Sequence, residues 1–210
     1  GIGQFQVLNG GYGAEFGRSL GGVVSVQTRR GTDEWKGGVA LTWEPAELRG
    51  SSVYAEKSAT TGEYSLVERP GDRDQIGANF YLGGPVIKDK FWIWGSYAEP
   101  KIELLTVSDF PDVTTLEGYN FKANAQLSQN NSGTLFIWDS AKVKIGRNAG
   151  PTRPPETTWN QEGYGDWPGA GKIEDTHVFS SSFFLTGMYS VVNGGFQLRP
   201  QGGEQFTSLD

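Results

Sequence analysis

The sequence predicts an all-β chain of antiparallel, up-and-down strands, and three observations lead there. Glycine is abundant, 31 of 210 residues, and aromatic residues make up 13% of the chain; that mixture suits short strands and tight turns better than helices. Apolar residues recur at a spacing of two over several stretches, the period of a strand with two unlike faces. Long polar connections alternate with short ones, the order produced by strands that have tall loops on one side and tight turns on the other.

Phe5 to Leu8 and Val23 to Thr28 are short alternating runs in which Phe5, Val7, Val24 and Val26 fall on one face, the pattern of a face that is buried. A glycine-dense turn from Gly10 to Gly22 joins them. Gly21 and Gly22 allow the backbone to pass close to another element, since no side chain intervenes. Arg29-Arg30-Gly31-Thr32 ends the second run. Trp35 to Glu44 then sets Gly37, Val39, Leu41 and Trp43 against Lys36, Gly38, Ala40 and Thr42.

Pro45 to Asp74 reads as a long polar loop. Gln75 to Val86 is the next strand, Lys88-Asp89-Lys90 a tight turn, and Phe91 to Ala98 the strand after it. Glu99 to Glu117 reads as a second loop. Gly118 to Ser128 alternates Tyr119, Phe121, Ala123, Ala125 and Leu127 with Asn120, Lys122, Asn124, Gln126 and Ser128. After a turn at Asn130 to Gly133, Thr134 to Lys144 is another strand. Ile145 to Gly171, with its prolines, Trp159 and Trp167, is a third long loop. Lys172 to Phe179 and Phe183 to Val192 flank a turn at Ser180 to Ser182, and Asn193 to Asp210 is glycine-rich and polar.

Composition narrows the function. A net charge of -6 supplies no basic stripe for phosphates, so nucleic acid is not a partner. Without cysteine there are no disulfides, thiolate metal sites or cysteine nucleophile. A mean hydropathy of -0.44 and the lack of a long apolar run exclude a transmembrane helix. They do not exclude a transmembrane barrel, whose strands are apolar on one face only. The reading gives about seven strands of roughly 9–11 residues each, the length that crosses a bilayer. A barrel plugged by a folded domain needs about 22 strands, and an open edge in lipid leaves unpaired backbone costing several kcal/mol per group. The remainder of a longer chain, or a partner, is therefore expected to cover the sheet edges. The chain opens on Gly1, which suits an internal piece of a longer precursor and a processed mature chain equally.

Two stretches carry a family resemblance. Gln4 to Gly38 resembles the last part of the plug domain of TonB-dependent outer-membrane receptors, where the chain leaves the plug and enters the barrel. Val7-Leu8, Gly10, Glu15-Phe16-Gly17 and Gly21-Gly22 through Arg29 stand in the family's places. Tyr12 to Arg18, together with Gly31 to Gly37, resembles the Oar-like branch, which carries a carboxypeptidase-regulatory-like domain upstream. Asn79 to Trp92 is similar to a hairpin of that branch, through Gly83, Gly84, Pro85, Lys88, Asp89 and Lys90. The family's two acidic residues in the first run correspond to Gly3 and Gln6, and its arginine to Asn9, so its charge lock between plug and barrel is not implied.

The resemblance, covering roughly Gln4 to Gln201, implies that residues 1–33 are the C-terminal part of a plug. Residues 34–210 would be the first strands and loops of an incomplete outer-membrane β-barrel in a diderm bacterium. It implies transport of a bulky ligand, contact with the lipid bilayer, and TonB machinery acting through a segment N-terminal to Gly1. It implies neither catalysis nor a cofactor. Two other readings are a receptor-derived accessory subunit of a membrane complex and a soluble glycan-binding β-sandwich.

Other residues invite chemistry less strongly. Gly11 to Gly17 lacks the strand–turn–helix setting of a phosphate loop. His177, the single histidine, has Glu174 and Asp175 nearby, but strand neighbours alternate faces. Asp72, Asp74, Asp109 and Asp112 match no calcium-loop spacing. Trp159, Tyr164 and Trp167 are candidates to stack on a sugar or peptide. Trp92, Trp94, Trp138 and Tyr119 are candidates for interfacial aromatic girdles.

Overall fold

Most of the alternating stretches join into one sheet in the computed structural model, which describes residues 2–9, 21–69, 73–106, 108–163 and 165–200. The strands are β1 (Ile2–Leu8), β2 (Val23–Thr28), β3 (Lys36–Glu44), β4 (Ser52–Lys57), β5 (Tyr64–Arg69), β6 (Arg73–Ile87) and β7 (Phe91–Leu105). They continue as β8 (Pro111–Ser128), β9 (Asn131–Ile145), β10 (Trp159–Gly163), β11 (Ala170–Ser180), β12 (Phe183–Val192) and β13 (Phe196–Pro200). The main sheet runs β12-β11-β9-β8-β7-β6-β3, an antiparallel up-and-down order with β3 and β12 as open edges. The pairs β1–β2 and β4–β5 are separate hairpins, and β10–β13 joins the sheet through Gln161 opposite Lys144.

Register makes the period-two pattern into two continuous faces. On one face Val39, Phe80, Tyr97 and Tyr119 lie opposite one another across four strands. Nearer the tight turns, Ile93, Ala123, Leu135, Ile173 and Tyr189 form a second row. This face is exposed: Leu41 by 77%, Trp43 by 71% and Leu82 by 57%. Among the described residues the only buried apolar side chains are Trp94, Ala123 and Ala149, so there is no second layer as in a sandwich. An apolar face this broad fits the lipid-facing side of a barrel wall. The opposite face carries Gly83, Trp94, Lys122, Phe136 and Lys172 in one row and Tyr81, Ser96 and Asn120 in the next.

The strands are taller than their alternation suggests. The stretch 99–117 is mostly strand: β7 reaches Leu105 and β8 starts at Pro111, leaving a short connection. Pro100 lacks an N–H, and the β7–β8 ladder runs to Ala98–Gly118 and resumes at Lys101–Thr115 in the same register. At 15 and 18 residues, β7 and β8 exceed the roughly 9–11 that cross a bilayer. The 45–74 loop contains the β4–β5 hairpin, and the 145–171 loop contains β10.

The start of β8 and the end of β9 are pinned together by an ion pair. Lys144 Nζ donates to Asp112 Oδ1 at 2.6 Å, with side chains only 19% and 12% exposed. Lys144→Met leaves a buried carboxylate oxygen without its donor, and this costs about 1–3 kcal/mol. Adding Asp112→Asn should recover part of the loss, as denaturant titration of the complete protein in detergent would show.

Candidate functional site

The chemistry concentrates where the chain leaves β2 and crosses the polar face of the sheet. Within β1–β2, Phe5 pairs with Val26 and Val7 with Val24, yet Phe5 is 60% and Val24 59% exposed, so the expected burial of that face is not seen among the described residues. Gly22, at φ +144°, adopts a conformation that favours glycine and passes close under the Leu8 carbonyl, whereas a side chain at Gly21 would meet open space. Gly10, Glu15, Phe16, Gly17 and Arg18 lie outside the described residues, as do Tyr164 and Asp72.

Beyond β2 the contacts are specific. Lys122 Nζ on β8 donates to Thr28 Oγ1 at 3.2 Å. The Arg29 guanidinium lies 6.0 Å from the Tyr81 ring centre and 5.7 Å from that of Trp94. The two rings are themselves stacked at 5.4 Å. Gly31 is buried where a Cβ would fall 2.3 Å from the Ile93 carbonyl oxygen and 3.0 Å from that of Gly84. Both are backbone atoms of the sheet, so only glycine lets the chain cross here.

Asp33 completes the crossing. Its Oδ1 accepts from Trp92 Nε1 at 2.7 Å and from the Asp89 backbone N–H at 3.0 Å. The Asp89 N–H, then the Trp92 indole, hold its carboxyl below the usual aspartate value, with Lys88 adding a weaker attraction. The turn it grips is the sequence-predicted one: Asp89 has φ 62°, and Lys90 N–H closes on the Ile87 carbonyl.

The glycine pair before that turn seats two rings. A Cβ on Gly83 would lie 2.3 Å from the Trp94 ring on the polar face, and one on Gly84 would lie 2.4 Å from the Trp35 ring on the apolar face. The motif Gly83-Gly84-Pro85 thus thins the strand where tryptophans press on it from both sides, and the ladder shifts register just after Pro85. Tyr81 is seated likewise against Gly38. In the sequence Gly31 and Asp33 stood out only as part of the Gly31 to Gly37 resemblance, with no role attached to either.

The remaining candidates are dispersed. Trp167 is 62% exposed and its Nε1 donates to Tyr119 Oη at 2.6 Å, tying its loop to the apolar-face side of the sheet. Trp159 lies in β10 opposite Pro200. Trp92, Trp94 and Trp138 fall on the polar face, so they form no lipid-side girdle; Tyr119 alone of that set is on the apolar face. His177 packs on Phe179, with ring centres 4.5 Å apart. Asp74 accepts from the Ala46 N–H and Asp112 is taken by Lys144. Among the described residues no group of three or more metal-binding side chains occurs.

An open antiparallel up-and-down sheet, apolar on one side and crossed by a hairpin exit on the other, defines the class: an all-β chain consistent with part of a barrel. Comparison agrees with that class. Over 94 residues, 44% of the chain, the sequence is 40% identical to the TonB-dependent transporter Oar of Myxococcus xanthus. The matched stretch is 8% of that protein's length, so the chain spans only a small part of it. No family model matches the chain, and no solved structure does.

Two outcomes follow. Gly31→Ala should lower the stability of the complete protein by about 1–3 kcal/mol, the usual cost of overpacking against a rigid surround. Gly21→Ala, facing open space, should have no such effect in the same thermal unfolding assay. Asp33 has a depressed folded value, so its contribution is present above the ordinary aspartate value of 3.8 and is lost as pH falls through the lower folded one. Asp33→Asn should therefore unfold earlier than wild type at about pH 7, and the difference should vanish as pH falls through the lowered folded value.

Proposed function

We propose that this chain is part of a TonB-dependent, Oar-like outer-membrane receptor that moves a bulky ligand across the outer membrane of a diderm bacterium. Residues 1–33 are the end of its plug and residues 34–210 its first barrel strands and their loops. One observation carries the reading: the exit of the β1–β2 hairpin is held on the polar face of a sheet whose other face is broadly apolar. A plugged barrel needs that arrangement, with lipid outside and a polar element inside. The identity to a TonB-dependent transporter supports it over less than half of the chain. The edges β3 and β12 then pair with further strands of the receptor, since a bilayer does not tolerate unpaired strand edges. TonB acts on a segment outside this sequence, and the work on the ligand is mechanical rather than catalytic.

The chain has no cysteine, so single cysteines report on the environment of each face. Introduced at Leu41 or Phe80 in the complete protein in its native membrane, a cysteine should react with lipid-soluble but not water-soluble maleimides. At Ser96 or Asn124 the preference should reverse. Equal labelling by the water-soluble reagent at all four positions would overturn the barrel reading.

A further inference from the structure

We propose that the seam between the Arg29–Lys36 segment and the polar face of the sheet is an oxyanion-binding site for a multiply charged, phosphate-class group. A cavity of about 290 Å³ lies there, lined by Arg29, Arg30 and Lys36 together with Thr32, Tyr81 and Trp94. A neighbouring cavity of about 800 Å³ shares Arg29 and Arg30 and adds Lys122 and Lys172. Among the described residues, no aspartate or glutamate lines either one. In a chain with 24 acidic residues against 18 basic ones, five cations gathered with no carboxylate among the described lining residues is a local reversal of charge.

The carboxylates that do stand near lie outside the linings. Glu34 is 3.4 Å from Lys36, both well exposed, and Glu174 is 3.0 Å from Lys172. At Lys122 the charges of Lys172 and Arg30 act with like sign and only Glu174 opposes them. Drawing these groups together beside low-dielectric walls raises the potential for an anion in the seam.

A second observation points to a ligand rather than to a merely basic surface. Trp94 is 4% exposed, and its indole N–H has no partner among the described residues. An indole can only donate, and a buried donor left unmade is costly. An oxyanion is a fitting acceptor, and the exposed Arg30 guanidinium offers paired N–H donors suited to phosphate geometry. Several cations favour a group of more than one negative charge over a single carboxylate, and the volume admits a phosphate with the first atoms of whatever bears it.

The inference goes beyond the receptor reading, because binding is measured without transport, TonB or a bilayer. The complete protein in detergent is titrated with inorganic phosphate against chloride at constant ionic strength, following thermal unfolding and heat of binding. Saturable stabilisation by phosphate is expected, weakened at least tenfold by Arg30→Gln and by Trp94→Phe, which keeps a ring but removes the N–H. Lys101→Gln, a surface residue beside Glu103, should bind as wild type. Arg30 is exposed, so its variant should fold even if Trp94→Phe does not. Phosphate binding unchanged in Arg30→Gln overturns the proposal. So does the lack of any phosphate response combined with loss of stability in Arg30→Gln, which would mean that a carboxylate of the protein itself occupies the seam.

Discussion

Everything here depends on a shared register. Seven strands pair without losing step over most of their length, and only that turns a period-two sequence into one apolar and one polar face. A slip of one residue between β6 and β7 would move Ile93 and Tyr97 to the face of Lys122 and would carry Trp94 out among the aliphatic side chains. The irregularities sit at the strand ends near the tight turns, between Pro85 and Ile87, Gln126 and Ser128, and Val178 and Ser180. Bulges there add twist where the strands reverse while leaving the long middle ladders intact. Curvature and facial chemistry are thus separated along the strand.

The polar face uses its register to build a seat. Gly38 and Gly83 give up side chains so that Tyr81 and Trp94 can lie flat, and the stacked rings then present a π surface to Arg29. Gly31 crosses directly over the carbonyls of Gly84 and Ile93. Asp33 ties the same segment to the β6–β7 turn, where the Trp92 indole and the Asp89 amide converge on one carboxylate oxygen. Glycines lower the surface, aromatics fill it, and one charged group at each end fixes direction.

The fold class and the seven wall strands were legible because alternation survives wherever one face must differ from the other. What was hidden had competing signals. Glu99 to Glu117 reads as a loop, although Lys101-Ile102-Glu103-Leu104 alternates as cleanly as any strand of the main sheet; Pro100 merely leaves a gap in one ladder. The β4–β5 and β10–β13 pairs lie in stretches rich in proline, glycine and polar residues, where local composition says loop and only the partner strand decides. At the site, the motif Gly83 to Lys90 could be read, but its purpose could not. Steric room under Trp94 and Trp35 is a property of distant contacts. Trp92 and Trp94 were open to a lipid-side reading because a tryptophan suits either face; their even numbering beside Phe91 and Ile93 was the available clue.

The hairpin and the sheet are held by bonds of very different number. The wall is a set of continuous ladders, each with many backbone hydrogen bonds acting together. Among the described residues, the contacts of the crossing segment are separate ones: two hydrogen bonds at Asp33, a cluster at Lys122 and Thr28, and the Arg29 ring contacts. These separate contacts are outnumbered by the backbone hydrogen bonds of a single ladder, which act together along its length. Force applied through β1–β2 would therefore break the seam before it unzips β6 from β7. The buried Gly31 contact adds steric fit but no bond of its own. Within the receptor reading, this difference lets a plug move while its wall stays closed, and it locates the first contacts to yield at Lys122, Arg29 and Asp33.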